Sequence, residues 1–387
     1  MSFASVAIKS KLPHVGTTIF TTMSMLAQEV GAVNLGQGFP DFDCDPRLLD
    51  MLDAAARAGL NQYPPMAGVL ALRQAVAEKV STLYGKAYDP VTEITITAGA
   101  TQAIQTALTA IVHPGDDVII FEPVYDSYDP VIRMNGGTPI YARLPFPDFR
   151  PDFTALRALI TPKTRAIIIN TPHNPTATLW SRDDLNELAL ILRDTNIVLI
   201  SDEVYEHMVF DGVGHQSVTS IPELAERAFV ISSFGKTYHV TGWKIAYCLA
   251  PSELMKEFRK AHQFIVFTVH TPSQYALANY MALRTHETLP EFYQAKRDYF
   301  LAQVAPTKLA WSPAPATYFA LATYAHIEGY NHLSEMEFAM KLARENGVVC
   351  IPLSAFYRNG EDNRVVRFCF AKKEQTLALA AERLNTL

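Results

Sequence analysis

Lys236 stands in the run Ser232-Ser233-Phe234-Gly235-Lys236-Thr237-Tyr238, between the apolar stretches Phe229-Val230-Ile231 and Ile245-Ala246-Tyr247. That setting puts an amine in a short polar loop where a buried strand ends. Two hydroxyls precede it, and a second cation, Lys244, lies eight residues on. A tethered amine needs only partial deprotonation to attack an electrophile, so such a lysine can hold a carbonyl compound as a Schiff base. Ser233 and Lys244 would then hold an anionic group, for which a phosphate is the best fit. Taken alone, a loop lysine is a solvated surface charge. Gly235-Lys236-Thr237 also imitates the end of a nucleotide-binding P-loop, but that loop needs glycine where Val230 stands, so the P-loop is rejected.

Other polar groups recur in the same relation to apolar runs. Thr101 follows Ile94–Thr97, Tyr125 follows Val118–Phe121, and Asn174 follows Thr164–Ile169. Asp202 and Tyr205 follow Ile197–Ile200, as Ser233 and Lys236 follow Phe229–Ile231. Each group has a plainer use: Thr101 or Asp202 as a cap, Asn174 before Pro175 as turn chemistry, Tyr125 as core. Together they carry more. Runs apolar at successive positions suit strands covered on both faces of a largely parallel sheet. In such sheets ligands bind at the carboxyl ends of the strands, where these loops would converge. The small residues Ala98-Gly99-Ala100 would leave N–H groups open at a helix start, a favourable place for phosphate.

The elements that must position these groups are legible in outline. Helical spacing predicts helices around Thr22 to Val30, Arg47 to Ala58 and Val69 to Tyr84, and another through about Val112. Ser181-x-x-Asp184 reads as a capping box opening a helix to about Arg193. Thr271-Pro272-Ser273-Gln274 reads as a second one, with proline at the first helical position. In Asn34-Leu35-Gly36-Gln37-Gly38, two glycines in three residues permit close approach of a ligand to backbone. The pattern changes near residue 285 to mixed helices and short strands, including Tyr318–Leu321 and Val365–Phe370. The expected division is a large α/β domain over 41–284, with an N-terminal arm and a smaller α+β domain from 1–40 and 285–387.

Bulk properties narrow the function. With 387 residues, 49% hydrophobic and 19% charged, the chain suits a globular enzyme of more than one core. A formal net charge of -6 and the lack of a basic cluster argue against nucleic-acid binding. No apolar run is long enough for a membrane span, and Met1 to Lys9 lacks the pattern of a secretory signal. Cys44, Cys248, Cys350 and Cys369 are scattered, which suits reduced thiols in a cytoplasm. Without an H-E-x-x-H, metal hydrolysis is disfavoured.

The motifs N-L-G-Q-G-F-P-D-F, N-T-P-H-N-P-T, S-D-E-V-Y, S-S-F-G-K-T-Y-H-V-T-G-W-K and V-V-R-F-C-F come in this order. Over nearly the whole chain they resemble a class I, fold-type I aminotransferase dependent on pyridoxal 5′-phosphate. Within that class the likeness is greatest to bacterial methionine aminotransferases and the kynurenine/glutamine aminotransferases. The resemblance implies that Lys236 binds the cofactor aldehyde and shuttles the substrate Cα proton. Asp202 would face the pyridine nitrogen, Asn174 and Tyr205 the phenolic oxygen, and Tyr125 would stack on the ring. Backbone at Ala100 and Thr101, the Ser233 hydroxyl and Lys244 would hold the phosphate. Many relatives carry arginine at the place of Lys244, whose ammonium lacks the planar fork.

By the same resemblance, Tyr63 reaches the phosphate from the neighbouring subunit, which implies a homodimer with shared active sites. Arg367 would grip the substrate α-carboxylate, with Asn174 and the backbone of Gly36 beside it. The implied reaction is a ping-pong exchange between amino acids and 2-oxo acids. No second arginine is placed for a distal carboxylate. Phe20, Tyr63, Tyr125, Phe264, Phe267 and His270 form an expected aromatic wall, favouring methionine, aromatic and other large neutral amino acids. A cysteine-conjugate β-lyase or kynurenine-type transaminase would use the same site. A regulator built on this fold would need a DNA-binding module, for which the chain has no spare length.

Overall fold

Seven strands form the central sheet, in the order Ile94–Thr97, Ala246–Leu249, Ala228–Ser233, Val198–Asp202, Thr164–Asn170, Asp117–Glu122, Thr138–Arg143. Ala246–Leu249 runs antiparallel to both of its neighbours, and the other pairings are parallel. The structure is a computed structural model that describes residues 8–387. The expectation about a secretory signal, and the start of the N-terminal arm, fall on residues outside that range.

Alternation along each strand explains why the runs are apolar throughout. Val118, Ile120, Ile168, Ile200 and Phe229 pack into one core, while Ile119, Ile167, Ile169, Leu199 and Val230 pack into another. Successive side chains point to opposite faces, and both faces are covered, so a polar residue has nowhere to go. The strand Thr138–Arg143 went unread in the sequence because it is the sheet edge and its burial is patchy. Lys236 lies in a one-turn helix, Phe234–Thr237, rather than an open loop.

The expected helices form as Ile19–Val30, Pro46–Arg57, Leu70–Tyr84 and Ala100–Ile111. Ser181 and Asp184 make both halves of their capping box ahead of Arg182–Leu192. The box expected at Thr271 does not form. The helix Thr271–Met281 has His270 at its cap position with no side-chain cap bond. Gln274 is fully buried and serves other backbone: its Oε1 accepts from Val69 N at 2.7 Å, and its Nε2 donates to Val269 O at 2.8 Å. Local capping loses here to satisfaction of buried groups from a distant segment.

The C-terminal part carries an antiparallel sheet ordered Ile351–Pro352, Val365–Cys369, Phe319–Thr323, Ala310–Trp311. Val33–Asn34 pairs with Val348–Val349, and Cys369 N donates to Leu35 O at 2.7 Å. These bonds lay Gly36 to Gly38 alongside the strand that carries Arg367. Among the described residues no helix is long and apolar enough to cross a membrane.

Replacing Gln274 by alanine should lower stability by about 1–3 kcal/mol, because it strands two buried backbone groups. Ser181→Ala should cost about 1 kcal/mol, the worth of a cap. Chemical denaturation of the two variants checks the order, and a Gln274→Ala protein as stable as the parent would contradict it.

Candidate active site

The strand ends do converge. A cavity of about 340 Å³ is lined by Asp202, Tyr205, Ser233 and Lys236, by Ala100, Thr101 and Lys244, and by Tyr125, Asn174 and Arg367. Lys244 joins them because Ala246–Leu249 enters the sheet at the edge where the parallel strands leave it. Gly38 lines the cavity, whereas Gly36 stands behind Arg367 and accepts a hydrogen bond from it at 3.1 Å.

Among the described residues, the charged groups that line this cavity, Asp202, Lys236, Lys244 and Arg367, make no ion pair, and burial shifts the pKa of three of them. Asp202 is 4% exposed, and burial raises its carboxyl pKa to about 6, against a hydrogen bond from the Tyr128 hydroxyl at 2.6 Å. Burial lowers the Lys236 ammonium to about 8. Its hydrogen-bond partners are neutral: the Gly38 carbonyl at 3.1 Å and the Tyr318 hydroxyl oxygen at 2.8 Å. Arg367 is 1% exposed and is lowered by burial to about 10. It donates to Asn174 Oδ1 and Gly36 O, lies 3.9 Å above the Phe319 ring, and leaves Nε without a partner among the described residues. A guanidinium buried among neutral groups favours an anion in the space before it.

A second anion site lies at the start of Ala100–Ile111. Gly99 has φ 79° and the helix has no side-chain cap, so its first N–H groups are left to a ligand. A Cβ at Gly99 would come 3.0 Å from Lys244 Cε and 3.1 Å from its Nζ. Only glycine lets that ammonium lie against the helix start. Uncapped N–H groups, Lys244 and the Ser233 hydroxyl are a donor set suited to a phosphate. Asn174 Oδ1 is taken by Arg367, which leaves the amide NH2 as its free donor. The residues present therefore fit pyridoxal phosphate: anion donors, an amine, a carboxylate and an aromatic, Tyr125, around one space.

Sequence reasoning missed Tyr128, Tyr318 and Phe319. Tyr128 sits three residues beyond Tyr125 and reads as a helix residue; only its bond to Asp202 reveals it. Tyr318 and Phe319 read as core, which they also are, at 0% and 1% exposure. Of the expected aromatic wall, Phe20 and Tyr125 line the cavity. Tyr63, Phe267 and His270 lie elsewhere on this chain: Tyr63 packs on Phe267 at 5.4 Å, and it lines a separate surface depression with His270. Tyr63 is 82% exposed and Phe264 89%.

Fold and cavity together define a transaminase, and residues 30–384 match the pattern of the family Aminotransferase class I and II. The chain belongs to that family. It is 48% identical over 381 residues to methionine aminotransferase of Escherichia coli, covering 98% of both chains. A solved structure of that Escherichia coli methionine aminotransferase superposes with a TM-score of 0.96 at 47% identity, covering 99% of this chain and 100% of the other. N-succinyldiaminopimelate aminotransferase of Mycobacterium tuberculosis gives 0.93 at 40%, covering 98% and 100%. Kynurenine–oxoglutarate transaminase of Dictyostelium discoideum is 34% identical over 412 residues, covering 96% and 94%.

The Tyr128 bond predicts a pH effect. The hydroxyl favours the carboxylate form of Asp202, so Tyr128→Phe should raise the Asp202 pKa further. The acidic limb of kcat/KM should move up by about one unit. An unmoved limb would show that Tyr128 does not tune Asp202.

Proposed function

We propose that the cavity binds pyridoxal 5′-phosphate and that the enzyme moves the α-amino group of methionine, aromatic or other large neutral amino acids to a 2-oxo acid. The observation that carries this reading is Lys236 and Asp202 facing one cavity without pairing to each other, while Arg367 lies buried beside them among neutral partners. When bound, the cofactor supplies an electron sink for the charge left as the Cα–H bond breaks.

The protein's own groups do the rest. Lys236, with a pKa near 8, is poised to take and return the Cα proton near neutral pH. Asp202 would face the ring nitrogen and keep it protonated, a charge that would favour the carboxylate form of Asp202. Ser233, Lys244 and the N–H groups of Ala100 and Thr101 hold the phosphate. The Asn174 amide and the Tyr205 hydroxyl donate to the phenolic oxygen, and Tyr125 covers the ring. Arg367 holds the substrate carboxylate by paired hydrogen bonds and so fixes which Cα bond faces Lys236.

The donor class follows from the lining. The cations on the cavity are Lys236, Lys244 and Arg367, each given a role, so a distal carboxylate finds no arginine of this chain. Phe20, Phe319 and Phe356 crowd the Arg367 guanidinium, at 5.4, 3.9 and 5.0 Å, and suit an apolar side chain. The 48% identity to methionine aminotransferase supports the same class. In this reading the working unit is a homodimer in which Tyr63, exposed on the isolated chain, completes the site of the other copy. The division at residues 40 and 284 then separates the cofactor-bearing part from the part that brings Arg367. The four free cysteines suit a cytoplasmic enzyme.

Two measurements test this reading. A steady-state panel of amino donors should rank methionine and aromatic amino acids above aspartate; aspartate as the best donor would sink the assignment. Lys236→Ala should abolish transamination and the visible absorbance of the lysine-bound cofactor, and retained turnover would rule out Lys236 as the base.

A further inference from the structure

Lys236 is held by a part of the chain far from its own strand. Its Nζ donates to Gly38 O at 3.1 Å and to the Tyr318 oxygen at 2.8 Å, and the Tyr318 hydroxyl itself donates to Gly38 O. The three atoms form a triangle with no side longer than 3.1 Å. Both acceptors therefore lie on one side of the nitrogen. Tyr318 is fully buried and does not line the cavity, whereas Lys236 and Gly38 do. Lys236 Nζ is thus held at the cavity wall, with one acceptor on that wall and the other buried behind it.

Chemistry fixes the direction of these bonds. Burial pushes the Tyr318 phenol well above its ordinary range, so it keeps its proton. While Lys236 is an ammonium, that single proton goes to Gly38 O and the phenolic oxygen accepts from Lys236. Two acceptors on one side of the nitrogen hold Nζ in place and favour its protonated form over the neutral amine. The ring of Tyr318 is held by Tyr205 at 5.2 Å, Tyr293 at 5.8 Å and Phe319 at 4.9 Å, so the hydroxyl cannot easily move aside.

We propose that Tyr318 is a positioning residue for transamination: with the Gly38 carbonyl it holds the amine of Lys236 at the cavity wall, where it can reach the substrate Cα proton, and favours its protonated form. Neither residue belongs to the strand ends that build the cavity. Gly38 follows the N-terminal segment, and Tyr318 immediately precedes the strand Phe319–Thr323. The amine is therefore held there only when these two segments are docked against the Lys236 helix. The proposal rests on Lys236 being the base of the proposed transamination.

The test uses full-length enzyme carrying the amine form of the cofactor, in which the lysine is free. Acetylation of Lys236 by acetic anhydride, followed by mass spectrometry across pH, reports its protonation without turnover. The other titratable groups around Nζ are Cys369, Arg367, Asp202 and Lys244, and Tyr205, Tyr293 and Cys369 stand around Tyr318. None is altered in Tyr318→Phe. Losing one acceptor disfavours the ammonium, so the midpoint should fall by about one unit. In separate single-turnover reactions of methionine with enzyme carrying the aldehyde form, the rate should fall about tenfold at an unchanged half-saturating concentration, with a larger Cα-deuterium isotope effect. Replacement by 3-fluorotyrosine keeps ring and hydroxyl but weakens the acceptor, and should give smaller shifts in the same sense.

Tyr293→Phe, which removes a neighbouring buried hydroxyl that has no partner among the described residues, should leave midpoint and isotope effect where they are. An unshifted midpoint in Tyr318→Phe overturns the proposal. A shifted midpoint without a change in isotope effect overturns it too, as does an equal response of Tyr293→Phe. Retained turnover in Lys236→Ala would instead remove the reaction assignment, and the labelling midpoint would still report the Tyr318 contact.

Discussion

The structure is organised around charges kept apart around one cavity. Lys236 is close enough to Asp202 and Arg367 to be shifted by both, yet Asp202, Lys236 and Arg367 each make their hydrogen bonds to neutral groups. Removing a lone charge from water costs several kcal/mol, and direct pairing would have been the cheaper solution. The fold forgoes that pairing because Asp202 is fixed at a strand end and held by Tyr128, while Arg367 is fixed in a strand of the other sheet. The result is a cavity with one carboxylate and a surplus of cations. An anionic ligand with a basic ring nitrogen neutralises both.

Backbone connectivity makes this separation rigid. Asn170, Asp202 and Ser233 are the last residues of three adjacent strands, and Asn170 and Asp202 are paired in register. Their spacing is set by the sheet rather than by side-chain flexibility. Arg367 is set by another sheet, and the Leu35 to Cys369 bond ties the glycine turn to it. The site is therefore the meeting of two rigid bodies of hydrogen bonds, with Gly36 and Gly38 at the seam.

Much of this was legible in the sequence, for a definite reason. A parallel sheet buried on both faces writes long apolar runs, and the polar residues in the loop after each run mark the active rim. Thr101, Asn174, Asp202 and Lys236 were all found that way. The groups that escaped do their work by long-range contact. Tyr318 and Phe319 stand at the start of a strand and Tyr128 at the start of a helix, where spacing only demands a large apolar side chain; no local pattern records that the two tyrosine hydroxyls are used. The false capping box at Thr271 fails for the same reason: Gln274 answers to Val69, some two hundred positions away in the chain.

The reversed strand Ala246–Leu249 has a consequence of its own. Each parallel strand supplies the rim only with residues beyond its C-terminal end, and returning to the rim takes a crossover helix. A strand running the opposite way supplies the residues before its N-terminal end, so Lys244 arrives within one tight excursion from Lys236. Because Ser233 and Ala246 are register partners, the segment between them works as a fixed-length clasp that brings two ammoniums, those of Lys236 and Lys244, to one cavity. A residue gained or lost inside this clasp would move the two cations relative to each other.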